Sequence, residues 1–168
     1  MTPNTMTIGP IVENTILINE TLSALLCKLN ELDRNLAMGY AIELARLGFV
    51  CDFAGARIPD QDEWPDGITH DDLVEIQDEI IEFMRDHHVP PYCYLGTHEG
   101  DNASLGVWPD VDSIQMAIHD GEILSFNDNG QALPTGYIRN AVYTNDHGNM
   151  TCGHVVDGEF GKTYWDWV

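Results

Sequence analysis

Hydrophobic residues recur along the first half of the chain at steps of three and four. From Asn19 onward, Leu22, Leu25, Leu29, Leu32 and Leu36 form a helical seam that Tyr40, Leu44 and Leu47 continue, and Gly48 supplies a stop. The pattern predicts one helix of about 28 residues, or two broken near Gly39. Residues 49–68 should begin as a short apolar strand and turn into a Pro/Asp-rich loop. Thr69, followed by Asp72 three residues later, makes a capping-box start to another helix. Leu73, Ile76, Ile80 and Phe83, with Met84 beside them, mark its buried side, and Pro90 and Pro91 end it.

After the two prolines the texture becomes β. Tyr92–Thr97, Leu105–Trp108, Glu122–Phe126, Tyr137–Thr144, Met150–Val156 and Thr163–Val168 are short runs rich in β-branched and aromatic residues. Asp128-Asn129-Gly130, Asn145-Asp146-His147-Gly148 and Asp157-Gly158 supply turns between them. A short helix over Val111–His119, with Ile114 and Ile118 at helical spacing, interrupts the meander. Residues 1–14 read as a poorly ordered arm or a short edge strand. The expected class is α+β: N-terminal helices (19–88) packed on a mostly antiparallel C-terminal sheet (91–168), in a single domain of residues 1–168. The seam Leu22–Leu36 is expected to pack on the chain itself, with a homodimer through the same leucines as the alternative.

Charge changes this picture from an ordinary globular chain to an unusual one. Twenty-eight Asp and Glu face seven Lys and Arg, a formal charge of −21, although hydrophobic residues still make up 43% of the chain and can build a core. Direct binding to nucleic acid or to an anionic membrane is therefore not expected; a protein presenting a basic groove is. No apolar run is long enough to cross a bilayer, and the polar N-terminus does not resemble a secretory signal. The cytoplasm, that of a host cell if the chain is phage-encoded, is the expected compartment.

The acids are not spread evenly. Asp60, Asp62, Glu63, Asp66, Asp71, Asp72, Glu75, Asp78, Glu79, Glu82 and Asp86, eleven of the 28, lie between Pro59 and Asp86, where Arg85 is the only Lys or Arg. On a helix, Asp71, Glu75, Asp78, Glu79, Glu82 and Asp86 fall on one face, opposite the Leu73/Ile76/Ile80/Phe83 stripe. Six carboxylates over roughly 22 Å give about one charge per 4 Å. A single DNA strand carries one about every 3.4 Å. Like charges four residues apart cost a few tenths of a kcal/mol per pair. A helix shaped by stability alone would mix in lysine. Imitation of a phosphate backbone is one reason for the one-sided choice, and a solvated face on an acidic protein is the other. The candidate partner-binding residues are the ten of this group other than Asp72.

Catalytic and metal chemistry find less support. Cys93 with His98 and Cys152 with His154 could supply four zinc-type ligands, but the spacing C-x₄-H with C-x-H matches no finger or ribbon, so no metal is expected. With Cys27 and Cys51 they read as reduced thiols. His87-His88 ends the acidic helix as a C-terminal cap. The His98-Glu99 loop and the His147 turn hold imidazole beside carboxylate, and a small metal-dependent or acid–base enzyme centred on them is the alternative function. No glycine-rich phosphate loop is present, and no cofactor or catalytic residue is assigned. Trp108 is expected in the core, whereas Trp64 and Trp165 or Trp167 could expose an anchor.

Two strings carry a resemblance. Tyr94-Leu95-Gly96-Thr97-His98-Glu99-Gly100-Asp101, leading to Gly106-Val107-Trp108-Pro109, and Asn145-Asp146-His147-Gly148-Asn149-Met150-Thr151 resemble segments of small accessory proteins of bacteriophages and plasmids. The resemblance covers the C-terminal half and implies the cargo of a mobile element, where small acidic proteins block host defence. The combined expectation is a non-enzymatic acidic inhibitor, anti-CRISPR or anti-restriction, acting by DNA mimicry on a host protein with a basic nucleic-acid-binding surface.

Overall fold

The computed structural model describes residues 5–15, 17–51, 57–127, 133 and 136–167. Among them lie four α-helices and two sheets, with 39% helix and 31% strand, which makes the chain α+β. The finer arrangement differs from the expected one. A strand precedes the helices, and the strands divide between two sheets instead of forming one. The chain also divides into two compact units. Residues up to Val89 together with Leu95–Trp108 form the first, and Pro90–Tyr94 with the residues from Pro109 onward form the second.

In the first unit, β1 (Gly9–Val12) is followed by α1 (Ile18–Leu32) and α2 (Arg34–Arg46). The break between the helices falls at Asp33, not near Gly39. Asp33 has an extended backbone, and its carboxylate accepts hydrogen bonds from Asn35 N (3.0 Å) and Leu36 N (3.1 Å). Capping by Asp is worth about 1 kcal/mol, comparable to the propensity cost of one glycine, so Gly39 is carried inside α2. Gly48 does stop the helix. It adopts a φ of +98°, and Phe49 N reaches back to Leu44 O at 3.0 Å. Phe49–Cys51 form no strand. Phe49 instead buries its ring behind the helix end.

Leu22, Leu25 and Leu29 are wholly buried, as are Leu44, Leu73, Ile80 and Met84, because α1 packs on α2, on β1 and on α3 (His70–His88). Leu22, Leu25, Leu29 and Leu44 of the seam thus lie inside the chain's own core, whereas Leu32, Leu36 and Leu47 are half-buried. The first sheet has the order β1-β3-β2, with β2 at Cys93–His98 and β3 at Asp101–Pro109. The edge-strand reading of the N-terminal segment holds for Gly9–Val12, which pairs antiparallel with β3. Gly106 permits this close approach, since a Cβ there would lie 2.5 Å from Gly9 O and 2.8 Å from Pro10 Cα.

In the second unit, α4 spans Val111–His119, matching the expected short helix, and Asp110 caps it by accepting from Ser113 N at 2.9 Å. The second sheet has the order β4-β5-β6-β7, with strands Leu124–Asn127, Ile138–Thr144, Met150–Val156 and Glu159–Trp167. Its last three strands are antiparallel, and β4 runs parallel to β5. The Asp157-Gly158 turn has both residues at positive φ, 53° and 89°, which suits the twist of a two-residue hairpin. That turn starts β7 at Glu159, earlier than the expected Thr163. The Asp128-Asn129-Gly130 turn lies outside the described residues.

Candidate interaction surface

Helix α3 is built to hold its charge in place. Thr69 and Asp72 form the reciprocal capping box, with Thr69 N donating to Asp72 Oδ2 at 2.7 Å and Asp72 N donating to Thr69 Oγ1 at 3.3 Å. The hydrogen bonds from Thr69 hold the Asp72 carboxyl below the usual carboxylate range. At the other end, His87 Nδ1 bonds Phe83 O at 2.9 Å and its ring stacks on that of Phe83. His88, expected beside it as a cap, is buried, and its carbonyl accepts from Met6 N at 2.8 Å.

Between these ends, Leu73, Ile76, Ile80 and Met84 are buried while Asp71, Glu75, Asp78, Glu79, Glu82 and Asp86 are all exposed. One helix face therefore carries six solvent-facing carboxylates in a continuous row. Among the described residues none of the six is paired with a lysine or arginine; the His70 imidazole lies 4.0 Å from Asp71. Asp60, Asp62, Glu63 and Asp66 are exposed in the preceding loop, around a 3₁₀ turn at Gln61–Glu63. That loop is anchored to α1, because Asn19 Nδ2 donates to Asp60 Oδ1 at 3.0 Å and Ile58 N donates to Ser23 Oγ at 2.9 Å. Trp64 is half-buried and donates its indole N–H to Pro59 O at 2.9 Å, so it braces the loop.

Two contacts that periodicity could not find hold α3 against its neighbours. Tyr40 of α2 donates a hydrogen bond to Glu79, and burial together with Glu79 and Glu43 pushes the phenol's pKa up. Thr21 of α1 donates to Gln77 Oε1 at 2.6 Å. Both pairs join residues far apart in sequence, and Tyr40 reads in the sequence only as one more seam position.

The histidine and cysteine candidates are placed as follows. His98 Nδ1 accepts from Gly100 N at 3.1 Å, and its ring meets that of Trp108 edge-on at 4.6 Å. Trp108 is buried as expected and donates to Gly96 O at 2.9 Å. His147 is exposed on a turn built by Asn145, whose Oδ1 accepts from His147 N and Asn149 N, both at 2.9 Å. His154 Nδ1 lies 3.2 Å from Asn140 Oδ1. Among the described residues no group of three or more His, Cys, Asp or Glu is arranged to hold a metal. Trp165 is not an exposed anchor: it is buried and donates to Pro91 O at 2.9 Å. No described helix is long and apolar enough to cross a membrane. Comparison of the chain with family models, curated proteins and solved structures finds no match.

Proposed function

We propose that this protein is a non-enzymatic inhibitor carried by a phage or other mobile element, and that its acidic ridge occupies the basic nucleic-acid-binding groove of a host defence complex. The complex would be a CRISPR effector or a restriction enzyme in the host cytoplasm. The observation that carries this reading is the row of six exposed carboxylates on α3, where Arg85 is the one Lys or Arg and forms an ion pair with none of them. Its linear charge density, about one per 4 Å by helix geometry, is close to that of a single DNA strand. Because α3 is capped at its start and bonded to α1 and α2, the backbone that carries the charges has little freedom left to lose on binding. The remaining four acids, Asp60, Asp62, Glu63 and Asp66, extend the same sign into the anchored loop.

The test is displacement of a labelled DNA duplex from purified CRISPR effectors and restriction enzymes. The reading expects displacement that weakens steeply as salt is raised, since groove and ridge meet through charge. Displacement insensitive to salt, or none across the panel, would count against it.

A further inference from the structure

Apart from the acidic surface, the second unit holds two thiols whose chemistry the proposed function does not use. Cys152 lies on β6, is completely buried, and sits directly opposite Trp165 of β7 in the strand register. The Trp165 indole donates to Pro91 O at 2.9 Å, and Asp110 N donates to Tyr92 O at 2.9 Å. The first bond holds the Pro90–Tyr94 segment, to which Cys93 belongs, against the strand that pairs with Cys152, and the second ties the same segment to the start of α4. Tyr92, just before it, holds a φ of +61°, rare for a bulky residue, so the segment's path is imposed by its surroundings. Burial pushes the Cys93 thiol up to about 12, with Cys152 the next largest cause, so the two sulfurs are within electrostatic reach of each other.

We propose that Cys93 and Cys152 close into an intramolecular disulfide when the folded protein meets a low-molecular-weight disulfide such as oxidised glutathione, tying the Pro90–Tyr94 segment to β6. Cys93, the half-buried member, attacks one sulfur of oxidised glutathione and releases one glutathione thiolate. Cys152 then attacks the Cys93 sulfur of the mixed disulfide and releases the second. Two thiols lose two electrons to form one S–S bond, and their two protons leave on two molecules of glutathione. The attacking thiol is mostly protonated at neutral pH, so the rate rises about tenfold per pH unit through the neutral range.

The experiment incubates the folded full chain with oxidised glutathione, quenches with acid and maps the peptides by mass spectrometry. The expected product is a Cys93–Cys152 linked peptide, formed faster as pH rises and absent in Cys93→Ser. Exposed Cys27 should acquire glutathione instead. A map in which Cys27 is modified while Cys93 and Cys152 remain free, or in which 93–152 is no more abundant than 27–51, overturns the proposal. Cys93→Ser changes the less buried position and serves as the control if Cys152→Ser does not fold.

Discussion

Tyr40 and Glu79 meet across two helices: the phenol of α2 donates to a carboxylate of the acidic row on α3. The bond orients one ridge carboxylate and joins the ridge to the packed side of the helical core. Tyr40→Phe should therefore lower stability by about 1 kcal/mol, the usual worth of one hydrogen bond, while leaving the charge of the ridge intact. Urea denaturation measures the loss. In ultraviolet titration, Glu79→Gln should move the Tyr40 midpoint back down toward the ordinary tyrosine value, because it removes a negative charge that opposes the phenolate.

Charge on the ridge opposes folding, so relieving it should stabilise the chain. Glu75 lies four residues from both Asp71 and Glu79, so Glu75→Lys turns two repulsive spacings into attractive ones. A gain of about 0.5–1 kcal/mol is expected at low salt, shrinking as salt is added. Thermal melts at two ionic strengths check it. A substitution that stabilises the fold yet weakens partner binding would separate the two roles of the ridge.

Acid should loosen the start of α3. The Asp72 carboxyl is lowered by its bonds to Thr69, so the stability it contributes is present above the ordinary aspartate value, near 3.8, and is lost as pH falls through its lower folded value. Asp110, lowered by Ser113 at the start of α4, acts in the same direction. Asp72→Asn should flatten this part of the acid transition, and Thr69→Ala should cost about 1 kcal/mol at neutral pH. Amide exchange at the first turn of α3 reports both.

At β3, Gly106→Ala would drive a Cβ into the backbone of Gly9 and Pro10, neither of which is a flexible side-chain end. Overpacking of this kind costs about 1–3 kcal/mol, and the expected response is loss of β1 from the sheet edge. Faster amide exchange across Gly9–Val12, with α3 unchanged, is the predicted signature.

Much of this architecture was legible because it follows from local chemistry. The α3 boundaries come from the Thr69/Asp72 box and the paired prolines, and its two faces follow from a period of 3.6 residues. Helix α4 and β6 were readable for the same reason. The break at Asp33 is not visible in the hydrophobic period, because it rests on a carboxylate that bonds the next turn, not on a glycine. The parallel pairing of β4 with β5 and the division into two sheets depend on contacts between distant residues, which periodicity does not encode. Within the candidate site, the exposed carboxylates could be named from spacing, whereas the bonds that hold them, Tyr40 to Glu79 and Thr21 to Gln77, could not. The burial of Trp165 is equally hidden from the sequence, because its N–H partner, Pro91 O, lies 74 residues away.

The most direct measurement is duplex displacement by the variant carrying Glu75→Lys, Asp78→Lys, Glu79→Lys and Glu82→Lys, checked for fold by circular dichroism. If the ridge mimics a phosphate backbone, the native chain releases DNA from the defence complex and the folded variant fails at every concentration tested. Equal release by both proteins would contradict phosphate mimicry by the ridge.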